Sequence, residues 1–182
     1  MIISICGLEG SGKDTVGKEL ARRLGHKFYS IGDLFGEMAK KKGMGLVEYH
    51  EYCERDDIGD REVDKYQEEL GEKDDNFVIV SRLGAHFIPH AFKVLLKVEL
   101  EEGTRTIFQD LKNRHDESYS NLEETRESIK KRQKSNEKRY MKLYRVNPYD
   151  EKGYDLVIDT THITAMEVVE QILGELRKTG KI

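Results

Sequence analysis

The chain has 182 residues, 37% of them apolar and 36% charged, with a formal net charge of −4. That length suffices for one domain with a real core and is short for two. The acidic balance excludes a molecule built as a whole to bind nucleic acid, so any anion it holds is held by local positive charge. Residues 2–6 (IISIC) read as a buried parallel strand, closed by Gly7. Residues 13–24 follow as a helix with Val16, Leu20 and Leu24 on one face and Gly25 at its end. Residues 26–30 read as a short strand, 31–42 as a helix and 46–55 as another. DDIGD interrupts, with Asp60 placed to cap a polar helix over 61–72. Residues 77–81 (FVIVS) and 92–100 (FKVLLKVEL) read as strands and 103–114 as a helix. A charged loop then leads into a long helix over about 121–144, with Ser120 and Glu123 spaced as a capping box. YDLVIDT (154–160) is the last strand, and TAME (164–167) opens the terminal helix with a second capping box.

Strands alternating with helices predict an α/β fold with right-handed crossovers and a mostly parallel central sheet. Such sheets bind ligands at the carboxyl ends of their strands. No apolar run approaches the roughly 20 residues of a membrane span, and MIISIC is too short for a signal segment. Cys6 and Cys53 suggest neither a disulfide framework nor a metal cluster. The expectation is a single domain over 1–182, cytoplasmic and monomeric, without nucleic-acid or membrane partners.

Residues 7–15, GLEGSGKDT, carry the chemistry. Gly7, Gly12 and Lys13 have the spacing of a phosphate-binding loop between strand and helix. The amides of Gly10, Ser11 and Gly12 form an anion nest, and the helix N-terminus adds partial positive charge. Lys13 reaches the outer phosphates. The usual hydroxyl after the lysine is replaced by Asp14, and Thr15 carries a hydroxyl one position later.

That variant resembles the loops of nucleoside monophosphate kinases. YSIGDLFGEMAKKKGM (29–44) is similar to the segment that opens their acceptor region, DREVD (60–64) to an Asp-Arg-x-x-Asp motif, and SRLGA (81–85) to a Ser/Gly-Arg-Leu segment. IKKRQKSNEKRYMKLY (129–144) is similar to an arginine-rich lid helix. Together these segments resemble the short, archaeal-type cytidylate kinases over nearly the whole chain. The resemblance implies a P-loop NTPase fold with an acceptor-binding insertion at about 31–75 and a lid at about 115–150. It implies transfer of the ATP γ-phosphate to CMP or dCMP, with Mg²⁺ as cofactor. Ser30, Asp33, Asp60, Arg61, Asp64 and Arg82 would bind the acceptor. Arg114, Arg126, Arg132 and Arg139 would line the lid, and Lys13, Arg132 and Arg139 would stabilise the transferring group. Arginine suits both tasks because its guanidinium grips phosphate with a fork of donors and stays charged.

Each role has a plainer reading. Asp60 caps a helix, the lid arginines lie on a solvated face, Tyr140 and Tyr144 pack rather than stack on a base, and His86 and His90 are ordinary loop residues rather than metal ligands. Two departures from the family pattern also stand out. Gly36 occupies a position where an arginine is expected, and the Val80–Ser81 region lacks an acid that orients Mg²⁺ through water in relatives. Asp14 and Thr15 are therefore the expected influences on Mg²⁺. The alternatives are a kinase for another small acceptor and a nucleotide-binding protein with little kinase activity.

Overall fold

Five short apolar runs form one all-parallel sheet in the computed structural model, in the order β2-β3-β1-β4-β5. The structure describes residues 1–45, 48–49, 52, 58–111 and 119–182, with backbone alone at 58–60. The strands are β1 (Ile2–Gly7), β2 (Lys27–Ser30), β3 (Phe77–Val80), β4 (Phe92–Lys97) and β5 (Leu156–Asp159). β1 and β3 are buried along their whole length, which is why they read as unbroken apolar runs rather than alternating ones. Register is set by pairs such as Ile3 with Val78, Ile5 with Val94 and Leu95 with Val157.

The helices are α1 (Lys13–Leu24), α2 (Ile31–Lys41), α3 (Ile58–Lys73), α4 (Gly84–Phe87), α5 (Leu100–Gln109), α6 (Leu122–Tyr144) and α7 (Ala165–Lys178). On one face of the sheet, Val16 and Leu20 of α1 and Val168, Ile172 and Leu176 of α7 pack on Ile3, Ile5, Val94 and Leu96. On the other, Ile88 and Ala91 pack on Ile2, Phe77 and Ile79. Ala39 and Tyr49 form a separate small cluster with Phe35 and Met38.

α1 has the expected bounds, and Gly25 ends it with φ 65° in the left-handed region. α3 begins at Ile58, so Asp60 lies inside the helix rather than at its cap. The helix expected at 46–55 lies largely outside the described residues. β4 stops at Lys97 because Leu100 already starts α5, earlier than the helix expected at 103–114. α6 is capped one residue later than expected: the Asn121 side chain accepts from the Glu124 amide at 2.9 Å, and the Glu124 carboxylate accepts from the Ser120 amide at 2.7 Å.

The box at Thr164 forms as read. Its side chain accepts from the Glu167 amide, and the Glu167 carboxylate accepts from the Thr164 amide. Thr164→Ala is expected to cost about 1 kcal/mol, seen as a lower midpoint in urea with an unchanged slope. Among the described residues, no helix is long and apolar enough to cross a membrane.

Candidate active site

The order of strands reverses around β1, and the carboxyl end of β1 opens directly into the glycine loop. Gly10 and Gly12 take φ 82° and 75°, left-handed values that favour glycine. Gly12 is also the N-cap of α1 and offers no side chain, so the first amides of the helix are left for an anion. The loop is fixed from behind by the Leu8 amide donating to the Leu96 carbonyl at 3.0 Å.

A second helix supports the loop by backbone contact. A Cβ on Gly10 would lie 2.4 Å from the Gly103 backbone in α5, and one on Gly103 would lie 2.6 Å from the Glu9 carbonyl oxygen. Both positions therefore need glycine. Gly103→Ala is expected to displace the loop and cost about 1–3 kcal/mol, read as a lower melting temperature.

Beside the loop lies an ion pair that joins distant parts of the chain. Arg82, just after β3, donates from Nη2 to Glu9 Oε1 at 2.7 Å. The Glu9 side chain is 4% exposed and that of Arg82 32%. Burial pushes the Glu9 carboxyl up, but the Arg82 guanidinium and then Lys13 outweigh it and hold it below the usual glutamate range. Burial pushes the half-buried Lys13 ammonium below the ordinary lysine range, opposed by Glu9, with Arg82 adding to the lowering. Lys13, Arg82 and Glu9 thus form one electrostatic unit, and the Arg132 charge also reaches Glu9.

α6 presents an unusual inward stripe. Thr125, Ile129, Asn136 and Tyr140 are its buried residues, and Arg132 and Arg139 fall on the same side at helical spacing. Arg132 donates to the Tyr119 hydroxyl at 3.0 Å, and Arg139 to the Tyr140 hydroxyl at 3.1 Å. Arg126 lies one residue round from Thr125, on the flank, and pairs with Glu101 at 2.7 Å. Arg114 lies outside the described residues.

After β2, Ser30 caps α2, accepting from the Asp33 amide at 3.4 Å, and its hydroxyl donates to Asp14 at 3.5 Å. Asp14 and Asp33 are exposed, as is Arg61, while the Asp60 side chain is outside the described atoms. Asp64 is buried, and its carboxylate accepts from Gln67 Nε2 at 3.2 Å and from the Tyr144 hydroxyl. Gln67 in turn accepts from Ser81, whose hydroxyl accepts from the Leu83 amide at 3.1 Å. This buried chain fixes the turn that carries Arg82. Gly36 has open space in its Cβ direction, so packing does not force the absence of a side chain there.

A cavity of about 290 Å³ runs from Gly12 and Thr15 past Thr106 of α5 to Thr160, Thr161 and Ile163 after β5. Its far wall is held by Thr160, whose amide and hydroxyl donate to the Lys97 carbonyl, and by Thr161, which accepts from the Glu99 amide at 3.0 Å. Three features of the site were missed in the sequence. Glu9 stood inside the loop motif itself as an acid among glycines. Thr160 and Thr161 sit where the strand-end rule points. Tyr149, which burial and Glu9 hold above the ordinary tyrosine range, carried no signal.

A parallel sheet ending in a glycine loop, with a lysine at the helix start and arginines converging beside it, defines a P-loop kinase. The model of the cytidylate kinase-like family matches residues 2–162, and the chain belongs to that family of ATP-dependent phosphotransferases. The cytidylate kinase of Methanobrevibacter smithii is 33% identical over 97% of this chain and 99% of its own length. The S-adenosylmethionine-dependent nucleotide dehydratase of Lacinutrix mariniflava is 37% identical over 99% of this chain, which spans only 37% of that protein. Among solved structures, shikimate kinase from Acinetobacter baumannii shares the fold, with a TM-score of 0.63, 22% identity and coverage of 98% of this chain and 93% of that one.

Proposed function

We propose that this protein is a nucleoside monophosphate kinase that transfers the γ-phosphoryl group of ATP to CMP or dCMP. One observation supports the reading: Arg82 sits just after β3 and is ion-paired with Glu9 of the glycine loop, in a cluster whose charge is shared with Lys13 and also reached by Arg132. Phosphoryl transfer requires two anions to be aligned and their charge neutralised, with little covalent help from the protein. The loop amides and Lys13 take the donor phosphates, and the cavity from Thr15 to Thr161 takes the rest of the donor. Arg82 takes the acceptor phosphate, with Ser30, Asp33, Asp60, Arg61 and Asp64 on that side in region 31–75. α6 acts as the lid of region 115–150, and its inward Arg132 and Arg139 stabilise charge on the transferring group. Arg126 and Arg114 are the further lid arginines of this reading.

The loop suits a triphosphate with Mg²⁺. Ser11 Oγ is buried there without a partner in the protein, and Thr15 adds a hydroxyl at the cavity wall. Among the described residues, no group of three or more His, Cys, Asp or Glu could hold a metal alone. That fits an ion held chiefly by phosphates and water with one or two protein oxygens. When bound, Mg²⁺ supplies neutralisation of phosphate charge. Thr15 and Asp14 would be the protein groups that influence the ion, directly or through water.

A panel of CMP, dCMP, UMP, AMP and shikimate, read by coupled ADP release, tests the acceptor. CMP and dCMP are expected to give the highest kcat/KM. A second reading, a kinase for another small acceptor, is favoured by Gly36 and by the likeness to a chain named for dehydratase chemistry on nucleotides. Turnover confined to a different acceptor in the panel would establish it. Tight ATP binding with no acceptor-dependent turnover would instead mark a nucleotide-binding protein.

A further inference from the structure

Glu9 is a carboxylate inside a loop built to hold phosphate, where its charge opposes the ligand unless it is neutralised. Its residue is only 5% exposed, and its carbonyl packs so closely on α5 that a Cβ on Gly103 would lie 2.6 Å from it. Oε1 is engaged by Arg82 across 73 residues of sequence, while Oε2 is buried without a partner. Arg82 is held at both ends. Its backbone turn is fixed by the buried Ser81–Gln67 contact, and its guanidinium by Glu9 through Nη2. The Arg82 Nε hydrogen is buried and unpartnered beside the pair, and the Tyr149 hydroxyl lies close to the same guanidinium. A guanidinium has five donors, and a bond through one Nη leaves the others for a phosphate.

We propose that Glu9 is a positioning residue for Arg82, holding the guanidinium from the donor loop so that its remaining donors meet the acceptor phosphate. The inference rests on the kinase reading above. It accounts for an acid in an anion-binding loop: the carboxylate sets the acceptor grip from the loop that seats the donor. A carboxylate present only to balance the charge of Lys13 and Arg82 would act on donor and acceptor alike.

The test is a cycle of Glu9→Ala, Glu9→Gln, Arg82→Ala and the double alanine variant, with KM for CMP and for ATP, kcat and thermal unfolding measured on each. Glu9→Ala is expected to raise KM for CMP about tenfold or more, the loss of one charge-assisted bond, with KM for ATP within about twofold. Glu9→Gln keeps an acceptor oxygen and is expected to recover most of that loss. The double variant is expected to match Arg82→Ala in KM for CMP, because Glu9 acts only through Arg82. The inference is overturned if Glu9→Ala leaves KM for CMP unchanged or lowers it, which would make Glu9 a competitor for Arg82. Additive single effects, or a parallel rise of both KM values with loss of stability, also overturn it. Absence of turnover with every acceptor in the wild type removes the kinase reading and this inference together. Wild-type turnover with an unaffected Glu9→Ala removes this inference alone.

Discussion

Lys13→Met is expected to lower phosphoryl transfer by about 10²–10³-fold, the usual cost of removing one group aimed at developing charge. The fold should survive the change. Lys13 is half-buried at the start of α1, burial already disfavours its charge, and the helix is set by Val16 and Leu20 in the core. Circular dichroism and melting temperature should therefore stay close to wild type while kcat collapses. Single-turnover measurements at saturating ATP separate this from a loss of donor binding. A Lys13→Met protein that retains more than about a tenth of wild-type kcat would remove the lysine from the chemistry.

Arg82→Ala is expected to have the second large effect, and it should reach both activity and stability. Losing a charge-assisted grip on the acceptor phosphate costs roughly 1.5–3 kcal/mol, or about 10–150-fold in kcat/KM for the acceptor. The change also strands the Glu9 carboxylate, whose side chain is 4% exposed. Breaking a buried pair from one side costs about 3–5 kcal/mol, and the low end applies because Arg82 itself is 32% exposed. Adding Glu9→Gln to Arg82→Ala is expected to return part of the stability and none of the activity. The pair also gives stability a pH dependence. The folded pKa of Glu9 lies below its ordinary value, so its contribution is complete above the normal glutamate range and is lost as pH falls through the folded value. In Arg82→Ala that contribution should vanish, which melting curves from neutral pH down to about 3 would show.

Much of the fold was legible because its signals are local. Unbroken apolar runs marked β1 and β3, and Gly25 and the Thr164 box marked the ends of α1 and α7. The boundaries that moved did so for nameable reasons. β4 gave way to α5 after Lys97, and Asn121 outcompeted its neighbour Ser120 as the cap of α6.

The site divided differently. The glycine loop could be read from its motif, since its function needs particular residues at particular spacing. The inward stripe of α6 was ambiguous, because Arg132 and Arg139 sit in a run of Lys, Glu and Asn that looks solvated in one dimension. Spacing puts them on one side with Ile129 and Tyr140, and packing adds that this side is the buried one while Arg126 turns to Glu101. The role of Glu9 was the least visible. It depends on a contact across 73 residues, and the loop motif treats its position as variable. The two acids of the loop differ in their surroundings: Asp14 is exposed beside Ser30, whereas Glu9 is buried and pairs with Arg82.

The most direct test of the central claim follows the phosphate itself. With ATP labelled in the γ-phosphate and CMP present, the account predicts label in CDP, dependent on CMP and on Arg82, with little released as inorganic phosphate. Label appearing as inorganic phosphate at the same rate with and without CMP, or remaining in ATP with every monophosphate tried, would contradict it.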